Sequence, residues 1–225
     1  MTGEGPKLDP FDVSNYQELA DKCDDSVLAS IGETLRLTKT ELPPETTLFG
    51  FAGAPWTVAT YMVEGGGSKD RFKTRVAAYD QAEAFDAMMD IIADATADYL
   101  VMQARAGAEV LKIFDSWAEG LPEPLFDRVI IRPTKRIVDR IRAQEIDLPI
   151  IGFPRGAGTL YPKYARETGV TALALDTSVD PGWMDENLPK GLPVQGHLDP
   201  AVLRTGGDVL KAEVDRLVDA WSGRH

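Results

Sequence analysis

The sequence predicts an α/β fold built on a parallel sheet with both faces covered. Two observations lead there. Short apolar runs of strand length alternate with helix-length stretches along most of the chain. Each run ends on Gly, Pro or a small polar residue, the types that turn a chain at a strand end. A third observation narrows the choice. Right-handed crossovers leave an open doubly wound sheet or a barrel of alternating strands and helices. No Gly-x-Gly-x-x-Gly stands between a strand and a helix, which weakens the dinucleotide-binding alternative.

The elements follow in order. Met1 to Pro10 is rich in Gly and Pro and reads as a loop. Residues from Asn15 to Thr40 read as helical, with Leu19, Val27, Leu28, Ile31, Leu35 and Leu37 as apolar positions, and Pro43-Pro44 ends the segment. The run from Thr47 to Trp56 reads as a buried strand followed by a loop, because it stops at Gly53 and Pro55. Ala77 to Ala106 reads as one long helix with Phe85, Met88, Met89, Ile92, Tyr99 and Leu100 as core, stopped at Gly107. Glu109 to Asp115 is a second strand. A helix over Glu123–Gln144 contains Pro133, so a kink or break is expected there. Leu148–Pro154 is a third strand, Tyr161–Glu167 a short helix, Thr171–Asp176 a fourth strand, and Trp183–Asn187 a helical turn. Leu192–His197 is a fifth strand. Asp208–Ser222 is a final amphipathic helix carrying Leu210, Val214, Leu217, Val218 and Trp221.

Composition bounds the function. The 225 residues are 44% hydrophobic and 27% charged, ordinary for one globular core, and residues 1–225 are read as a single domain. The net charge of −12 repels phosphate backbones and anionic lipid, so neither nucleic acid nor membrane is expected as a partner. A polyanionic substrate would therefore need positive charge gathered locally. Cys23 is the single cysteine, which excludes an intrachain disulfide and fits a reduced intracellular thiol. Met1–Pro10 has no signal-peptide core, and no apolar run approaches the roughly 20 residues that span a bilayer. The expected location is the cytoplasm.

In either architecture, chemistry gathers at the C-terminal ends of the strands. Those ends carry Gly53-Ala54-Pro55-Trp56, Asp115-Ser116-Trp117, Pro154-Arg155-Gly156, Asp176-Thr177-Ser178 and Gln195-Gly196-His197-Leu198-Asp199. Each has a plain alternative. Asp115, Asp176, Asp199 and Ser116 serve equally as caps or turn residues, Arg155 as a solvated loop residue, and His197 as a structural histidine. With only His197 and His225 as histidines and one cysteine, a zinc site of nitrogen and sulfur ligands is hard to build, and no metal is assigned. No Ser-His-Asp or Cys-His set is specified by spacing. The residues by themselves lead to a barrel-like enzyme fragment with a small-molecule site and leave its chemistry open.

The stretch Gly50-Phe-Ala-Gly-Ala-Pro-Trp-Thr-Val-Ala-Thr-Tyr-Met-Val-Glu-Gly-Gly-Gly-Ser68 carries a resemblance. It is similar, almost letter for letter, to the signature of the uroporphyrinogen decarboxylase family. Ala106-Gly-Ala108, Ile113-Phe-Asp-Ser-Trp117, Gly152-Phe-Pro-Arg-Gly156, Leu175-Asp-Thr-Ser178 and Val194-Gln-Gly-His-Leu-Asp-Pro200 follow in the order that family has them. Gly3-Glu-Gly-Pro6 also resembles a family segment, and Phe-Pro-Arg-Gly-Ala-Gly resembles an alphaproteobacterial form.

The resemblance implies a single (β/α)8 TIM barrel, cytoplasmic and homodimeric, with no metal or organic cofactor. It implies conversion of uroporphyrinogen III to coproporphyrinogen III by decarboxylation of four acetate side chains, in haem biosynthesis. It places Tyr61 as the active-site tyrosine and Ser116 as a substrate contact, with Arg155 and Asp115 as contributors at the rim. A phenol and a hydroxyl suit a polycarboxylate, since both donate hydrogen bonds without adding charge. The family also has arginines in an Arg-Gln-Ala-Gly-Arg segment, an aspartate in Phe-Ser-Asp and a histidine in Gly-His-Gly. None of these occurs here. The chain is therefore expected to hold about five of the eight strands, to lack both ends of the family domain, and to be inactive, unstable or aggregated alone. The family commonly has asparagine where His197 stands. Two alternatives remain: a corrinoid-linked methyltransferase relative, which would use a zinc-bound thiolate, and a non-catalytic degenerate fragment.

Overall fold

In the computed structural model, residues 8–22 and 25–224 are described, with backbone only at 20–22 and 25–27. The first seven residues of the loop expected over Met1–Pro10, which include the family-like Gly3–Pro6, lie outside that set, as do Cys23 and His225. A 3-10 helix over Val13–Lys22 precedes α1 (Asp25–Glu41). Then come β1 (Phe49–Gly53), α2 (Pro55–Glu64), α3 (Phe72–Asp80), α4 (Ala82–Arg105) and β2 (Val110–Asp115). A helical segment starts as α5 (Glu123–Phe126), passes through a π-helical turn at Asp127–Ile131 and continues as α6 (Arg132–Arg142). β3 (Ile150–Pro154), α7 (Tyr161–Glu167), β4 (Ala172–Leu175), α8 (Pro181–Asn187), β5 (Val194–Gly196), α9 (Pro200–Thr205) and α10 (Gly207–Ala220) complete it.

The five strands are parallel and lie in the order β1-β2-β3-β4-β5. Sequential order settles the choice left by the sequence. A doubly wound sheet reverses its strand order at a switch point; this sheet never does, so right-handed crossovers put every connecting helix on one face. The sheet is five consecutive strands of a β/α barrel wall. Leu111, Ile113, Ile150, Leu173 and Leu175 point to the helices and are buried. Phe49 and Phe51 point the other way and remain exposed.

Four expectations from the sequence are corrected, and a fifth, the break near Pro133, takes a particular form. Gly53-Ala54-Pro55 does not begin a loop: Pro55 occupies the first turn of α2, where a missing N–H costs nothing. The single helix expected over Ala77–Ala106 is two, divided at Gln81. The Asn15–Thr40 helix is likewise two elements, and Leu37 is exposed. The break expected near Pro133 appears as the π turn, in which the Arg132 N–H reaches back to the Asp127 carbonyl. On α10 and its C-terminal cap, Leu217 and Trp221 are buried but Val214 and Val218 are not, and the separate helix α9 precedes it.

Helix α4 is joined to the π turn and α6 by a ladder of ion pairs one turn apart. Arg128, Arg132, Arg136 and Arg140 meet Asp86, Asp90, Asp94 and Asp98 at 2.8, 2.8, 2.7 and 2.8 Å. At the sheet edge, the buried Gln103 amide accepts from the Phe51 N–H at 2.9 Å and donates to the Phe51 carbonyl at 3.0 Å. It pairs with β1 as a neighbouring peptide would, and so blunts the edge.

Candidate active site

The rim at the C-terminal ends of the strands is organised by buried polar groups. At the end of β1, the Ala54 N–H donates to the Phe114 carbonyl at 2.8 Å, and the Trp56 indole donates to the Trp117 carbonyl at 2.9 Å. The Thr57 hydroxyl, in the first turn of α2, donates to Asp115 Oδ1 at 2.7 Å and accepts from the Ser116 N–H at 2.8 Å. Three bonds thus tie α2 to the end of β2. Tyr61 sits one helical turn beyond Thr57 and leans on Trp117, ring centroids 6.3 Å apart.

The Tyr61 side chain is 40% exposed, and its phenol bonds to no described residue. The Ser116 hydroxyl is likewise uncommitted among the described residues. Two donors, one on α2 and one at the end of β2, are therefore open to a ligand. Asp115 differs. It points with Leu111 and Ile113 toward the helices and is buried, so it braces the rim from behind instead of facing a ligand. Burial pushes its carboxyl up to about 7 against the Thr57 bond, and its Oδ2 has no partner.

Arg155 follows β3. Its backbone N–H bonds to the Asp115 carbonyl at 2.9 Å, and its guanidinium approaches the Ser116 carbonyl at 3.4 Å and Glu119 at 3.9 Å. Glu119 also takes Arg71, at 2.7 Å. Arg71 is buried, lies with its Cζ 4.8 Å from the Trp117 ring centre, and borders a cleft lined by Tyr61, Glu64, Ser68 and Trp117. Sequence reasoning missed it, because Lys69-Asp70-Arg71 lies in no motif and at no strand end. So two guanidinium groups share one glutamate beside the free phenol and hydroxyl.

The remaining strand ends hold the frame. Asp176 accepts from the Gly156 N–H, from the Tyr161 hydroxyl at 2.8 Å and from the Ser178 N–H at 2.7 Å, fixing the loop that carries Arg155. Asp199 caps α9 through the Ala201 N–H at 2.8 Å. His197 is buried, donates from Nε2 to the Val179 carbonyl at 2.7 Å and packs edge-on against Trp221. Its φ is +66°, in the left-handed region that asparagine and histidine tolerate better than most side chains, so either residue suits that position. Among the described residues, no three His, Cys, Asp or Glu side chains are grouped to hold a metal. No described helix is long and apolar enough to cross a membrane.

Comparison with known proteins places the chain in a family. The family model described as uroporphyrinogen decarboxylase (URO-D) matches residues 1–225. The chain is 70% identical over 224 residues to the uroporphyrinogen decarboxylase of Maricaulis maris, covering 100% of this chain and 65% of that protein. It is 48% identical over 228 residues to that of Hyphomonas neptunium, covering 99% and 65%. It is 49% identical over 222 residues to that of Caulobacter vibrioides, covering 98% and 62%. The chain therefore spans 62% to 65% of the length of these curated relatives. A methyltransferase from Methanosarcina mazei superposes with a TM-score of 0.69 at 17% identity, over 84% of this chain and 55% of that one, a likeness of fold alone.

Proposed function

We propose, for a chain that belongs to the uroporphyrinogen decarboxylase family, that its rim binds uroporphyrinogen III and serves that molecule's decarboxylation to coproporphyrinogen III. The observation that carries this reading is the pairing of uncommitted donors with shared cations. Tyr61 and Ser116 offer hydroxyls bonded to no described residue, beside Arg71 and Arg155, which share Glu119. A polycarboxylate meets neutral donors and guanidinium groups on one edge, and bidentate arginine is a natural partner for carboxylate. Loss of carbon dioxide leaves electron density on the pyrrole side of the cleaved bond, and fixed donors around the ring lower the cost of that charge. The reading includes a cytoplasmic homodimer, no metal or organic cofactor, and no nucleic-acid or membrane partner.

Titration of uroporphyrin III, the oxidised and stable counterpart of the substrate, tests it by fluorescence quenching. Saturable binding is expected, weakened about tenfold in the double variant Tyr61→Phe, Ser116→Ala, with an unchanged melting temperature because neither hydroxyl has a described protein partner to lose. Absence of saturable binding, or equal binding by the variant, overturns the reading. In an anaerobic assay with uroporphyrinogen III, no turnover is expected from this chain alone, since the Arg-Gln-Ala-Gly-Arg, Phe-Ser-Asp and Gly-His-Gly segments do not occur in it. Turnover would assign the chemistry to the residues present.

A further inference from the structure

We infer that Lys112 and Gln195 form a carboxylate-binding subsite on the inner face of the sheet, a floor contact for one side-chain carboxylate of a tetrapyrrole polycarboxylate. The inference rests on the substrate class proposed above but concerns residues which that proposal does not use.

Placement comes first. On β2, Leu111, Ile113 and Asp115 face the helices, so Lys112 between them faces inward, level with Phe51 on one side and Ile151 on the other. Its side chain climbs toward the strand ends. Nζ lies 5.5 Å from the centre of the Phe153 ring and donates to Gln195 Oε1 on β5 at 2.8 Å. The group thus spans the inner face from the second strand to the fifth, below the rim that bears Tyr61 and Ser116.

Charge comes second. Lys112 is partly buried, and burial pulls the pKa of its amine down. Other partly buried lysines have acids: Lys39 meets Glu109 and Lys163 meets Asp127. Among the described residues no carboxylate pairs with Lys112, in a chain with 36 acidic against 24 basic residues. An ammonium withdrawn from water without a counter-ion costs stability, and a methionine of similar length would fill the same floor without that cost.

Donor geometry comes third. Lys112 uses one of its three N–H bonds, and the Gln195 amide nitrogen donates to no described residue. One cation and one amide, held 2.8 Å apart through the Gln195 oxygen, offer donors to the two oxygens of a carboxylate. Such charge-assisted bonds are the stronger kind, more so over an aromatic floor than in water.

The test is a fluorescence titration of wild type, Lys112→Met and Lys112→Arg with uroporphyrin III, which keeps its acetate groups, and a thermal melt of each. Lys112→Met is expected to weaken binding about tenfold, with Lys112→Arg recovering part of it, while the melting temperature of Lys112→Met holds or rises. Unchanged binding by Lys112→Met overturns the inference. So does a fall of several degrees in its melting temperature, which would make Lys112 a structural strut. A lysine side-chain NMR titration with succinate separates this from the reading of function. If wild type binds no porphyrin, that reading fails, and the subsite stands only on a saturable shift of the Lys112 Nζ signal that Gln195→Leu abolishes. No such shift overturns it.

Discussion

Replacing Asp115 by asparagine tests whether the rim is braced by a neutral carboxyl. Asp115 is buried at the end of β2, and burial raises its pKa from 3.8 to about 7. Below pH 3.8 the folded and unfolded chains both hold this proton, and the group costs nothing. Between 3.8 and about 7 the unfolded chain releases it while the folded chain keeps it, so stability falls as pH rises. Above about 7 the whole cost is present, and a gap of that size corresponds to about 4 kcal/mol. Asparagine keeps the oxygen that accepts from Thr57 and removes the titration. It puts an amide nitrogen where Oδ2 has no partner, a cost of about 1–3 kcal/mol that does not vary with pH.

The assay is urea unfolding of wild type and Asp115→Asn, taken as a difference so that the rest of the acidic surface cancels. A pI of about 4.6 keeps the useful range on the basic side of it. From about pH 5.5 to about pH 8.5 the difference should swing by about 2 kcal/mol toward the variant, near 1 M in urea midpoint for a chain of this size. A difference that stays constant with pH would show that Asp115 is ionised throughout. The bond from Thr57, and the Ser116 amide held by the same hydroxyl, would then rest on a charged anchor.

Two further outcomes follow from packing and charge. Arg136→Gln removes one rung of the α4–α6 ladder, whose side chains are 44% and 32% exposed, so the loss should be about 0.2–1 kcal/mol and should shrink in 1 M salt (about a 3 Å Debye length); a larger, salt-insensitive loss would contradict a screened ladder. Gly152→Ala places a Cβ 2.5 Å from the Tyr164 ring, with Tyr164 buried and pinned in the core, so stability should fall by about 1–3 kcal/mol in thermal melts; a variant as stable as wild type would refute that close approach.

The alternation of elements was legible because strand-length apolar runs and helix-length stretches differ in period, and the Tyr161–Glu167 helix was placed to the residue. The rim was legible because each run ends on turn chemistry. Facing was not. Val110-Leu-Lys-Ile-Phe-Asp115 reads as one buried run, yet the pleat sends Lys112 inward and Asp115 toward the helices. Helix α2 is hidden because Gly53-Ala54-Pro55 reads as a stop, although Pro at the first turn followed by an apolar stretch to Gly65 is a start and end signal. Arg71 carried no signal: its role comes from a backbone at φ +52° that turns it onto Trp117, which no local pattern announces.

The acidic composition set a problem that the rim resolves by distance. A net charge of −12 repels a polyanion at long range, but physiological salt screens that field beyond about 8 Å. What remains at contact is local, and there Arg71, Arg155 and Lys112 stand against Glu119 and Glu64, the latter accepting from the Thr74 N–H and hydroxyl. Glu119 holds Arg71 at 2.7 Å and stands 3.9 Å from Arg155, with its Oε2 buried and without a hydrogen-bond partner, so a ligand carboxylate reaching Arg71 competes with it instead of filling an empty hole. Competition of this kind favours a ligand with several carboxylates over one with a single carboxylate. One group must displace Glu119, and only a second group reaching Lys112 or the Tyr61 hydroxyl offsets that exchange. Glu119→Gln therefore should strengthen binding of a single-carboxylate probe such as propionate more than it strengthens binding of uroporphyrin III. Equal gains for both probes would show that Glu119 repels at a distance and does not hold the place of a ligand group.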